Sequence, residues 1–221
     1  MKLAINTFKA VSYAAIFKLS GLIKISFLLG SHMIWFSGVN CVLPLSGAFS
    51  GSLGASLVFL IRQLIHLIFY KTFSLSFLAF CIPGFFASLY WSSRHWLFHV
   101  ATPLICMIAF MIHPVGGQVW FYSLYWLIPV ALYFIPRNTL FLQALGSTFI
   151  AHAVGSAIWC YTVPMTQSMW LALLPIVIVE RVFFALGMVA AHHIISLVFK
   201  LINETSKRLV IIDLKSISSL E

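Results

Sequence analysis

The chain has 221 residues, 62% of them hydrophobic and 8% charged, and its mean hydropathy is +1.06. A soluble domain carries about 25% charged residues, so this composition excludes one and makes lipid the solvent for most of the surface. The net charge is +9, with 13 Lys and Arg against 4 Asp and Glu. The basic residues sit at the ends of apolar runs and in the tails rather than in a stripe with stacking aromatics, which excludes a nucleic-acid binder.

In chain order, residues 1–24 mix apolar positions with Lys2, Lys9, Lys18 and Lys24 and predict the interfacial start of a first helix. Lys9 and Lys18 interrupt any apolar leader core. Ala10 and Ala14 form a small-xxx-small pair, the spacing that lets helix backbones approach. Residues 25–36 continue this span. Residues 37–54 are rich in Gly, Ser and Pro, including Pro44, Ser46 and Ser50. They read either as an irregular loop lining a cavity or as a tight helix contact.

Further apolar runs follow at 55–70, with Arg62 and His66 on one face, and at 73–91, with Pro83 and Gly84 as a kink. A polar aromatic turn at 91–96 leads to a short run at 97–112, which ends in His113, Pro114 and two glycines. Residues 119–134 are aromatic-rich. A turn at 136–138 opens a final hairpin over 139–200, whose two runs flank residues 164–168. Each of those runs reaches the roughly 20 residues a crossing needs. The prediction is an all-α integral membrane protein with one transmembrane domain over 1–202 and a polar tail over 203–221. Counting runs gives seven crossings. Lysine at both ends favours two cytoplasmic termini and therefore six, with 97–112 re-entrant or tilted.

The final hairpin carries the strongest polar signal. Ser147, Ala151 and Gly155 recur at i, i+4 and i+8, a groove for a neighbouring helix. Thr148, His152 and Ser156 form a polar stripe beside it that ends near Trp159. Glu180 and Arg181 lie inside the last apolar run, where each costs about 2.5–3.5 kcal/mol on insertion scales. They point about 100° apart on a helix, so the partners open to Glu180 are His152, Arg62 or Arg181 itself. The group reads as a solute site, a helix-locking network or a proton-coupling element. Histidines 66, 95, 99, 113, 152, 192 and 193 leave haem ligation open as an alternative. Cys41, Cys81, Cys106 and Cys160 form no CxxC and read as small buried hydrophobes. The motifs of serine hydrolases, zinc proteases and P-loop ATPases are absent, so the chain is expected to be no enzyme and to need no metal or cofactor.

With Ala10 and Ala14 near its start, a Pro44–Ser50 segment leading into a span and a Gly/Ala/His-rich hairpin bearing Glu180 and Arg181, the chain resembles the substrate-binding S components of energy-coupling factor vitamin transporters. That resemblance implies a six-helix bundle in the cytoplasmic membrane. It implies capture of one vitamin-like solute near the outer face by the Pro44–Ser50 segment, His152, Trp159 and Glu180. It also implies docking through Ala10 and Ala14 onto a transmembrane coupling subunit that carries two ATPases. A membrane assembly subunit with no ligand remains a further alternative.

Overall fold

The computed structural model describes residues 2–25, 36–136 and 139–218, with side chains over 8–23, 37–136 and 139–206. The predicted continuation of the first span falls almost wholly outside the described residues. So do the side chains of Lys2, Lys24, Arg137, Lys207, Arg208 and Lys215. The described chain is helical apart from short connections and one two-residue antiparallel pairing of Lys24–Ile25 with Phe36–Ser37. Helix α1 spans Lys2–Ser20, α2 Val39–Val42, α3 Leu45–Tyr70 and α4 Leu75–Ser92. A π turn at Leu97–Ala101 runs straight into α5, Thr102–Ile112. Then come α6, Pro114–Gln118, a 3-10 helix at Trp120–Trp126, and α7, Leu127–Tyr133. Helices α8, Leu140–Thr162, and α9, Gln167–Ser218, complete the order.

Among the described residues, α3, α4, α8 and the Gln167–Ser206 part of α9 are long and apolar enough to cross a membrane, and Leu97–Ile112 is a shorter apolar helix. The short run is therefore helical throughout. Helix α9 does not stop near residue 202 but continues as helix to Ser218. At 1.5 Å per residue its length is about 78 Å, more than twice a hydrocarbon core of about 30 Å.

Helix α8 is the centre of the bundle and packs against α4, α5, α7 and α9. Its small residues make this possible, because helices in lipid associate through close packing rather than hydrophobic drive. The predicted groove receives α4 in antiparallel register: the Ser147 hydroxyl donates to the Ala87 carbonyl at 3.2 Å, and Gly155 lies against Pro83. Tyr90 of α4 lies against Gly146, where a Cβ would come within 2.1 Å of its hydroxyl. On another side, the Thr148 hydroxyl donates to the Leu145 carbonyl at 2.7 Å and lies 3.4 Å from the Arg181 carbonyl of α9.

The stretch at 37–54 is not a loop. It forms α2 and the first turns of α3, with Pro44 buried at the α3 N-cap. Gly47 brings α3 onto α4 so closely that an added Cβ would lie 1.7 Å from the Ser88 carbonyl oxygen. Ser46 donates to the Ser88 hydroxyl at 3.2 Å, and that hydroxyl lies 3.1 Å from the Leu43 carbonyl and 2.9 Å from that of Gly84. Gly51 then breaks the helix with φ 65° and ψ −170°, a region open essentially to glycine alone. Helix α4 passes through Pro83 without a break.

The two ends of the bundle are distinct. At one end Phe49 stacks on His192 at 5.1 Å and meets Phe199 at 5.3 Å, Lys9 lies over the Phe199 ring, and Trp91 stacks on His192. At the other, Tyr161 donates to the Ala109 carbonyl and meets His113.

Replacing Gly47 with alanine puts a methyl group where the Ser88 carbonyl stands, and overpacking of this kind costs about 1–3 kcal/mol. The melting temperature in detergent should fall. Gly155→Ala, whose methyl meets Pro83 at an ordinary 3.5 Å, should leave it unchanged.

Candidate functional site

Glu180 and Arg181 are the polar residues that α9 carries deepest into its apolar run. Their Cβ atoms diverge around the helix, yet both side chains are long enough to bend together. Arg181 Nη2 donates to Glu180 Oε2 at 3.0 Å, with both side chains no more than 10% exposed. Of the three predicted partners, Arg181 is the one found. Arg62 lies instead over the rings of Phe17 and Phe77, at 5.8 and 6.0 Å. The pair is self-contained within one helix, so this bond ties no two helices together. It is also incomplete, because Glu180 Oε1 and Arg181 Nε are buried without a hydrogen-bond partner among the described residues.

One turn beyond Thr148, His152 Nε2 lies 3.1 Å from the Tyr122 hydroxyl. Both belong to an aromatic cluster drawn from four elements. Tyr122 meets Phe110 at 5.8 Å and Trp170 at 4.9 Å, while His152 meets Trp126 at 6.3 Å and Phe149 at 6.5 Å. The indole N–H groups of Trp126 and Trp170 are buried and unpartnered among the described residues. The cluster therefore packs its rings largely edge to face around one histidine–tyrosine hydrogen bond and two buried, unpartnered indole donors, with the Glu180–Arg181 pair further along α9.

The other predicted residues fall elsewhere. Trp159 is half-buried on α8, and its carbonyl accepts the Val163 N–H at 2.9 Å. Pro44, Ser46 and Ser50 lie at the end of the bundle marked by His192, which is about 33 Å further along α9 than Trp170. They are not brought together with His152. Ser46 is buried in its contact with Ser88, and Ser50 is exposed. Ala10 and Ala14 are exposed on α1. All four cysteines are buried and free.

Sequence reasoning missed Tyr122, Trp126 and Trp170 as individuals. The sequence held no signal that separates Tyr122 and Trp126 from exposed Trp120 and Phe121, because their segment is a 3-10 helix in which aromatics follow one another on every side. Comparison with protein-family models, curated proteins and solved structures finds no match.

Glu180→Gln removes the counter-charge of a buried guanidinium, a loss of about 3–5 kcal/mol. Thermal unfolding in detergent should register it. The double variant Glu180→Gln/Arg181→Gln, which leaves no orphaned charge, should regain most of the lost stability.

Proposed function

We propose that this chain is the substrate-capturing membrane subunit of a small-solute importer, of the kind represented by the S components of energy-coupling factor transporters. The observation that carries the reading is the pair of orphaned indole donors, Trp126 and Trp170, in an aromatic cluster with His152 and Tyr122. A buried donor without a partner costs about 1–3 kcal/mol. The rings are packed against one another, so a solute has to part them; one that then accepts from both indoles and stacks on the rings removes that cost, and the fold has a reason to keep them. A vitamin-like heteroaromatic molecule has this chemistry.

In this reading the bundle crosses the membrane six times, by a different set from the one expected from the sequence: α3, α4, the 97–112 segment, the 120–133 segment, α8 and α9 cross, with 97–112 counted as a crossing in place of the first span. Lys9, Arg94 and Lys200 gather at one end and Lys71 follows α3 at the other, which by the positive-inside rule directs the first end and both termini to the cytoplasm. The aromatic cluster then lies toward the outer face. Exposed Ala10 and Ala14 are the docking contact for a transmembrane coupling subunit, and partner ATPases supply the energy.

Two measurements test this. Topology reporters fused after Gly117 and at the C-terminus should report opposite sides, with the C-terminus cytoplasmic; signals from one side would undo the six-crossing arrangement. Mass spectrometry of small molecules that co-purify with the protein should reveal a ring-bearing solute. Trp170→Phe keeps a ring but removes the donor, and should weaken that binding roughly tenfold without loss of folding. Unaltered binding in both Trp170→Phe and Trp126→Phe would remove the basis of the assignment.

A further inference from the structure

Helix α3 packs chiefly on α4 and leaves a broad face uncovered, with Ile61, Ile65 and Phe69 among its exposed residues. Half-buried Arg62 stands at the border of that face. Ile65 and Phe69, three and seven positions on, share its side of the helix. Eight residues, about 12 Å, separate it from Tyr70 at the end of α3, and eleven, about 16 Å, from the break at Gly51. Long basic side chains escape lipid only near helix ends, so this cation lies at membrane depth. Its guanidinium lies over the rings of Phe17 and Phe77. Rings attract its charge, but they do not supply the in-plane acceptors that five N–H groups call for. Among the described residues no hydrogen bond or ion pair reaches it.

The sequence holds four acids, and none of those described reaches Arg62. Glu180 is bonded to Arg181. Glu204 and Asp213 lie on the stretch of α9 past Lys200, at the His192 end of the bundle, and Glu221 falls outside the described residues. Arg62 is nearer the other end, where His66, one turn on, stacks on Phe77 in the first turn of α4. We infer that the exposed face of α3 docks a transmembrane helix of another protein, and that this helix brings a buried carboxylate to Arg62. A guanidinium is permanently charged and meets a carboxylate with two parallel N–H groups. Apolar cover alone would leave the cation unpaired, so charge complementarity selects an acidic helix. A second copy of this chain does not fit, because Glu180 is committed within its own helix. Headgroup phosphate does not fit either, because it lies beyond the helix ends. The inference stands apart from the solute-import reading.

The test uses Arg62→Lys, which keeps the charge and adds an amine that a membrane-permeant carbodiimide joins to a carboxylate in contact. In native membranes holding the full-length chain, peptide mass spectrometry should find the substituted position joined to an acid inside an apolar run of another protein. Arg62→Leu should give no such product, and once purified it should melt no lower than the unsubstituted chain, since it loses an unpaired cation. In liposomes, a synthetic leucine–alanine transmembrane peptide with one central glutamate should bind the purified chain roughly tenfold tighter than its all-apolar counterpart, and Arg62→Leu should abolish the difference. The inference is overturned if the amine joins no protein, an acid outside an apolar run, Glu180 or a second copy of the chain, or if the two peptides bind alike. A lower melting temperature in Arg62→Leu would make the two rings the true partners of the cation. A melting-temperature rise with phosphatidylglycerol that Arg62→Leu removes would assign the cation to lipid, and either result also overturns the inference.

Discussion

The fold depends on how closely other helices can approach α8. In lipid, apolar side chains gain nothing by leaving their solvent, so a bundle holds together only where backbones come close enough for dense packing and short polar contacts. Gly146, Ser147, Thr148 and Gly155 supply that closeness on α8, and Gly47 supplies it between α3 and α4. The hydroxyls act with the glycines. Ser147 and Ser88 each place a donor against a carbonyl of the facing or same helix, so the narrow contacts are also satisfied ones. Larger residues at these positions would separate α4 and α8, and the sites on either side of them depend on that register.

That register produces an asymmetric interior. Toward Trp170 the bundle is filled with rings and contains the His152–Tyr122 hydrogen bond. Toward His192 it opens beside Arg94 into a space bordered by Tyr90, Trp91, His99 and Gln143. The Glu180–Arg181 pair lies between them and belongs to neither wall. The spare hydrogen-bonding atoms are thus distributed along the length of the bundle rather than collected at one point.

Much of this was legible in the sequence, and the limits have physical causes. Apolar runs of sufficient length announce membrane helices, and the four-residue recurrence of Ser147, Ala151 and Gly155 announced the groove that α4 fills. Glu180 and Arg181 were conspicuous because charge is rare in such a run. Their mutual bond was less evident, since helix geometry fixes where Cβ atoms point but not where three- and four-carbon side chains bend. The cluster aromatics were hidden because tryptophan and tyrosine at a membrane interface look the same in sequence as tryptophan and tyrosine in a core. Residues 37–54 left two readings open for a related reason, and the tight helix contact is the one found. Glycine and serine signal irregular backbone and close helix contact equally well, and here a single glycine, Gly51, makes the break while Gly47 makes the contact. His99 could not be placed without knowing that α4 and α7 both close over the π turn.

The bond between Glu180 and Arg181 has a mechanical consequence. A charge pair divided between two helices welds them, because sliding either one would leave a bare ion in hydrocarbon. This pair travels with α9. A rotation or lengthwise shift of the helix against α8 keeps its charges together, so the opposition to such motion comes from packing and from the Thr148 and Tyr125 hydroxyls, which lie 3.4 and 3.1 Å from the Arg181 and Leu174 carbonyls of α9. Helix α9 is also far longer than a hydrocarbon core is thick, so a helix that crosses at this length carries any shift of its ring-packed end to a stretch that lipid does not surround.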